Sequence, residues 1–435
     1  MRPIAQPIAQ FVASGQELVQ RLGQRMPWYV PSRTIENRNI SNLYAETTWF
    51  GILNGVASTF VSVYALRLGA TTAQVGWLTA LPALVNIIWL MPAARMIERQ
   101  RRRLPLVLWS GFLQRLGYLM MAIMPFLVLT GRVEALILIN TLVTLPAAVI
   151  NTAITAMIPD LTSPERRGQV VSVRWLLLSL TATAAALFGG KLLDLMPIPL
   201  NYQVLLGVGA LLSLLGLYYL SRIRAPRTIV YDPATGTRQR FSWQQLRGTV
   251  AGLAGQRSFV RFTLASFVFY WGLYLPAALW SVLRVRDLGA SDTWIGLIAV
   301  VVDGSTIFGY FFWGKIVAKR GNRWVLLVTA VGVAVYAFLT ALVPSIGWMI
   351  PTSILGGFTW AGCNLALFNV MLHVCPAERR PTYVAMYTAL MNVTAFAAPM
   401  LGAGLASWIG IHIAFVISAG VRFLGALFFL WLVRK

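Results

Sequence analysis

The chain has 435 residues, 58% of them hydrophobic and only 11% charged, whereas a soluble domain carries about 25% charged residues. That balance excludes a water-soluble enzyme. Its two cysteines, Cys363 and Cys375, lie 12 residues apart in one apolar run, about 18 Å along a helix and too far for a disulfide. The two histidines, His373 and His412, leave little material for acid–base, nucleophilic or metal chemistry. No catalytic constellation, metal site or cofactor is expected.

The amino-terminal stretch has no uninterrupted apolar core with a cleavage site, so it does not read as a signal peptide. Ile8, Phe11, Val12, Leu18, Val19 and Leu22 follow helical spacing. Residues 1–40 are therefore expected to be a cytoplasmic segment, either a tail or a short helix on the inner leaflet helped by Arg2, Arg21 and Arg25. After it come apolar stretches of about 20 residues or more, each long enough to cross roughly 30 Å of hydrocarbon. Twelve are predicted, near 43–67, 73–94, 104–129, 134–158, 169–194, 201–221, 260–283, 293–317, 323–343, 347–373, 382–408 and 411–433. They are far longer than the ten-residue alternating strands of a barrel, so the expected class is an all-α membrane protein.

A net charge of +23 would point to nucleic acid in a soluble chain. Its placement excludes that partner here. With the amino terminus inside, the inner segments hold 28 Lys and Arg residues and the outer loops 5. That excess is the positive-inside signature and predicts both termini in the cytoplasm.

An internal repeat organises the spans. Leu68-Gly69-Ala70-Thr71 with Val75-Gly76 returns 220 residues later as Leu288-Gly289-Ala290-Ser291 with Ile295-Gly296, each copy joining the first and second span of its half. The basic loop Ala94 to Arg103 is matched at the same displacement by Gly314 to Arg323, and Pro164-Glu165-Arg166-Arg167 is echoed by Pro376-Ala377-Glu378-Arg379-Arg380. The expected units are bundles at 41–222 and 259–435, joined by a cytoplasmic linker at 223–258. An even six spans per half orients both alike, so the repeat axis runs along the membrane normal.

Twelve spans in two parallel six-helix bundles, with a long central inner loop and basic loops after spans two and eight, resemble the major facilitator superfamily. The family's loop pattern is Gly-x-x-x-Asp-Arg-x-Gly-Arg-Arg. The first copy keeps Glu98, Arg99, Arg102 and Arg103 but has Ala94 and Arg101 in place of the glycines. The second keeps Gly314, Lys319, Gly321 and Arg323 but has Ala318 for the acid. The resemblance implies that this loop steadies one conformation of a carrier, and that the first, fourth, seventh and tenth spans line a central cavity. No Gly-x-x-x-x-Gly-Lys-Ser/Thr loop is present in the sequence, so ATP is not expected to drive the chain directly.

Ionisable side chains at the bilayer centre cost at least about 2.5 kcal/mol on insertion scales, so each is a functional candidate. Glu46 shares a helical stripe on span one with Asn42, Asn54 and Ser58. It either loads and releases a proton as its surroundings change from wet to dry or pairs with a cation, for which Arg174 on span five is the expected partner. Asp303, on a face of span eight with Thr306 and Tyr310, is either a proton or substrate site or a bridge to Arg422 on span twelve. Arg115, in the middle of span three, has no acid at matched depth in its half. It is expected to meet backbone carbonyls, a lipid phosphate or an anionic substrate.

The cavity candidates are Asn54 on span one, Asn140 and Asn151 on span four, Tyr270, Trp271 and Tyr274 on span seven, and Trp360 and Asn364 on span ten. Helix-to-helix bonding is the competing role for the asparagines, and lipid contact for the aromatics. Gly272 and Pro276 supply a hinge within span seven, whose aromatic wall suits an apolar, cationic or sugar-ring ligand.

The expected function is secondary transport of a small molecule across the cytoplasmic membrane by alternating access, proton-coupled and directed to efflux of an amphipathic compound. A proton-linked importer of a polar solute, and a carrier-shaped protein that handles lipid or pigment or assists assembly, are the alternatives. The expected partners are the bilayer, a small-molecule substrate and protons, with the chain acting as a monomer.

Overall fold

The computed structural model describes residues 34–98, 100, 102–128, 130–224, 256–375 and 380–433. The expected inner-leaflet segment up to residue 33 and most of the expected linker, 225–255, lie outside the described residues. Among the described residues twelve helices are long and apolar enough to cross a membrane.

The first six are α1 Ile35–Arg67, α2 Thr72–Glu98, α3 Arg103–Leu127, α4 Arg132–Leu161, α5 Arg167–Leu195 and α6 Leu200–Ser221. The last six are α7 Arg257–Tyr274, α8 Asp292–Arg320, α9 Asn322–Ala341, α10 Met349–Val374, α11 Arg380–Ile409 and α12 Ile411–Val433. Past Pro276, α7 is continued by a short helix at Leu279–Val282 and a π-helical turn at Leu283–Asp287. Twelve crossings return the chain to the side it started from, which we call the terminal face.

The sequence spans and the helices agree closely; apart from the end of α7, which Pro276 interrupts, the largest departure is the start of α1. Hydropathy places it at residue 43, whereas the helix begins at Ile35, capped by the Thr34 hydroxyl, which accepts from Asn37 N–H at 3.1 Å. The extra turns are polar because they bind the rest of the terminal face. Glu36 accepts from Ser163 N–H at 3.0 Å, Arg166 donates to Asn37 Oδ1 at 2.7 Å, and Asn39 donates to the Arg224 carbonyl at 3.1 Å.

Within the first bundle α1 packs on α5 and α6, and α4 on α2 and α3; within the second α12 packs on α7 and α9, and α10 on α8 and α9. The bundles meet along α5 with α8 and along α2 with α11. Small residues permit both approaches. A Cβ on Gly190 would come within 2.5 Å of the Asp292 carbonyl, and one on Gly76 within 3.0 Å of Ala403. Gly190→Leu is therefore expected to wedge α5 from α8, seen as a lower melting temperature.

The repeated Leu-Gly-Ala motif has a local cause. Gly69 and Gly289 both hold positive φ, +93° and +58°, which ends the preceding helix without the penalty a side chain would bring. The following residue starts the next helix: Thr71 and Gln74 exchange side chain and backbone bonds at 2.7 and 3.2 Å, and Ser291 accepts from Trp294 N–H at 3.4 Å.

Candidate functional site

Glu46 is 2% exposed, and its α1 position is opposite Gly216 of α6, whose missing side chain admits the helix backbone there. One carboxylate oxygen takes Arg115 Nη2 at 3.4 Å and the other lies 3.7 Å from Arg174 Nη2. Arg174 Nε also donates to Thr47 Oγ1 at 3.0 Å, tying α5 to α1. The expected Arg174 contact is present, but the expectation for Arg115 needs correction: it does have an acid at its depth. Glu46 and Arg115 sit eleven and twelve residues from the terminal-face ends of α1 and α3, a match concealed by the late start assigned to span one. Arg115 is fully buried, donates also to Gln114 Oε1 at 3.1 Å and the Gly111 carbonyl at 3.3 Å, and lies over the Phe50 ring at 4.7 Å.

Arg422 is likewise not the partner of Asp303. Pro276 has no N–H for the Gly272 carbonyl four residues earlier, and α12 fills that gap. Ser418 Oγ and Arg422 Nε donate to the Gly272 carbonyl at 2.8 and 3.1 Å, and Arg422 reaches the Leu273 and Val333 carbonyls at 3.4 and 3.1 Å. The guanidinium is spent on the break in α7. Arg422→Met is expected to strip buried carbonyls at about 1–3 kcal/mol each, lowering the melting temperature, and adding Pro276→Ala is expected to recover part of the loss by restoring an N–H to Gly272.

Asp303 stands where the bundles meet. Its Oδ2 accepts from Thr183 Oγ1 of α5 at 2.8 Å, and among the described residues no cation lies within ion-pair distance of it. The helix faces on either side of this bond change character along their length. On α5, Gly190, Ala186 and Thr183 are covered by α8, whereas Leu176 and Ser172, continuing the same face towards the terminal face, are exposed. On α8, Asp292 and Gly296 are buried, Asp303 is half-buried and Tyr310 is exposed. The seam thus closes over roughly 16 Å of helix from Asp292 to Asp303 and opens beyond it.

The closed end carries a reciprocal clasp. Arg67 at the end of α1 donates to the Ala290 carbonyl at 2.8 Å, and Arg286 donates to the Ala70 carbonyl, the position 220 residues earlier in the repeat. Asp292, 3% exposed, accepts from Tyr202 Oη at 2.7 Å and pairs with Arg67 at 3.5 Å. Asp194 of α5 accepts from the N–H groups of Asp292 and Thr293 at 3.0 Å each, capping α8 of the other bundle. In the sequence Arg67 and Arg286 are simply two of the five outer-loop cations, and hydropathy singles out none of Asp194, Asp292 and Tyr202. The signal available was a charge beside the repeated turn in both halves.

The cavity candidates divide. Asn151 and Asn364 are exposed, and Asn364 donates to Tyr310 Oη at 2.8 Å. Asn54, Tyr270, Trp271, Tyr274 and Trp360 are half-buried, with the Tyr270 and Tyr274 rings 5.7 Å apart. Asn140 is committed to packing, donating to the Leu78 carbonyl of α2 at 3.3 Å. In the basic loop Arg103 bonds the Ala156 carbonyl and Asp160 of α4 at 2.8 and 3.0 Å. Arg102 is exposed, while the Glu98 and Arg99 side chains lie outside the described residues. In the second copy Gly321 ends α8 at φ +81°, and Gly314 and Arg323 are exposed.

The model of the Major Facilitator Superfamily matches residues 47–260 and 262–435. The chain belongs to this superfamily of membrane transporters. Its fold is similar to that of a bacterial homologue of the human lysosomal transporter Spinster in an inward-facing, unoccupied conformation, at a TM-score of 0.67 and 16% identity over 93% of this chain and 98% of that one. It is similar also to the D-xylose-proton symporter, at a TM-score of 0.69 and 14% identity over 90% and 96%. In sequence it is 32% identical over 97 residues to the organic cation/carnitine transporter 7 of Arabidopsis thaliana, a stretch that is 22% of this chain and 19% of that relative.

Proposed function

We propose that the chain is a proton-coupled exporter of an amphipathic solute, set in a cytoplasmic membrane with both termini inside, and that Asp303 is its proton site. The Lys and Arg imbalance of 28 to 5 supports the orientation; the terminal face, where the seam is open, is then the cytoplasmic one. The observation that carries the coupling is the Thr183–Asp303 bond, which joins the two bundles at the floor of that opening. Rocking the bundles to open the opposite face separates α5 from α8 and takes the hydroxyl from the carboxylate. A carboxyl group whose hydrogen bond and hydration change with the transport state changes its proton affinity with that state. Glu46, held between two guanidinium groups inside one bundle, keeps its partners through such a motion and serves the structure.

The test is proton movement in proteoliposomes containing a pH dye, challenged with amphipathic cations, sugars and organic acids. Wild-type protein is expected to move protons only with substrate, and Asp303→Asn to lose that movement at least tenfold while keeping its melting temperature. Proton movement unchanged in Asp303→Asn would refute the assignment. Silence of folded wild-type protein across the panel would move the reading to a lipid, pigment or assembly role.

A further inference from the structure

The charge around Asp303 says what kind of substrate the cleft takes. α5 between 179 and 187 has no ionisable residue, α10 between 353 and 368 has only Cys363, and α8 between 296 and 310 has only Asp303 and Tyr310. Of the cations deep in the spans, Arg115 and Arg174 share Glu46 and Arg422 donates to backbone carbonyls, and none of these three lies within ion-pair distance of Asp303. Asp303 therefore brings to the seam a carboxyl group that, among the described residues, no cation pairs with, and that carries a negative charge whenever its proton is released. Only its Oδ2 is engaged, by Thr183; among the described residues Oδ1 has no hydrogen-bond partner. An unpaired carboxylate at the floor of a cleft with low-dielectric walls attracts positive charge strongly.

The same face continues to an aromatic group. Tyr310 lies seven residues further along α8, roughly 10 Å towards the mouth; it is 40% exposed and is held by Asn364. Trp360 sits one turn from Asn364 on α10 and is half-buried. A carboxylate at the floor with aromatic side chains about 10 Å nearer the opening matches a ligand with a cationic head and a flat or apolar body.

We propose that the substrate is a lipophilic organic cation whose positive head is recognised by Asp303 and whose apolar body lies along Tyr310. This rests on the transporter reading above and deepens it by naming the substrate class. Thr183 holds the carboxylate in place when the cleft is empty, and the cation takes the free oxygen.

The experiment is equilibrium binding to the purified full-length chain in nanodiscs, with tetraphenylphosphonium as the probe and triphenylphosphine oxide as an uncharged control of similar shape. Wild-type protein is expected to bind the cation saturably and at least tenfold more tightly than the control, a comparison that needs no variant. Asp303→Asn is expected to lose at least tenfold in cation affinity, Asp303→Glu to retain it, and Tyr310→Ala to lose severalfold; melting temperatures establish that each variant is folded. Equal affinity for the charged and uncharged probes, no saturable cation binding, or undiminished binding in folded Asp303→Asn would each overturn the proposal. Binding requires no turnover, so the two readings fail separately. Proton movement with a neutral solute and no cation binding removes the cation site alone, and cation binding without proton movement removes the coupling alone.

Discussion

Glu46→Gln is expected to destabilise the protein by about 3–5 kcal/mol, the range for removing one partner of a buried ion pair. The carboxylate is 2% exposed and answers two guanidinium groups from different helices, Arg115 at 3.4 Å and Arg174 at 3.7 Å. A neutral amide keeps the shape and leaves both cations uncompensated, with Arg115 fully buried. The damage lies in the stranded charge rather than in a lost contact. Adding Arg115→Met to Glu46→Gln should therefore restore part of the stability, and the two changes should be strongly non-additive. Thermal unfolding of the four proteins in one detergent checks this. Equal melting temperatures for wild type and Glu46→Gln would refute the stranded-charge account of this cluster.

Asp292→Ala is expected to move the population towards states open at the face opposite the termini. Asp292 closes that face by accepting from Tyr202 and pairing with Arg67, both on the other bundle. These bonds exist only while the bundles touch there, so their loss raises the free energy of the closed arrangement and leaves the open one unchanged. Two charge-assisted bonds to one carboxylate, the second from a partly exposed guanidinium, contribute about 2–4 kcal/mol, roughly a 30- to 1,000-fold change in the ratio of the two states. Spin labels at Leu127 on α3 and Trp408 on α11, 77% and 84% exposed at that face, report it directly. The distance distribution is expected to gain a longer component in Asp292→Ala, and a smaller one in Tyr202→Phe. A distribution identical to wild type would show that small-residue packing of α5 on α8 seals the face without the clasp.

The sequence determined a great deal about this protein. Hydrophobic length is a property of each segment alone, and it produced all twelve helices. The 220-residue echo of the Leu-Gly-Ala turn reflects a local need for positive φ at Gly69 and Gly289, so it survives in the sequence without reference to the fold. It also marked Glu46, Asp303, Arg115 and Arg422 as exceptional, because a charge among apolar residues stands out wherever it is directed. What tertiary structure alone decided is how those charges are answered. Arg115 found Glu46 because α1 begins eight residues before its apolar stretch, on polar residues bonded to other loops. Arg422 turned to the carbonyls that Pro276 leaves bare, and Asp303 to a hydroxyl on the opposite bundle. Partners are a matter of distance between helices far apart in the chain, and hydropathy contains no such distances. The clasp of Arg67, Arg286 and Asp292 was hidden for the same reason: its acceptors are largely backbone carbonyls, which every residue carries and only the packing of the two bundles selects.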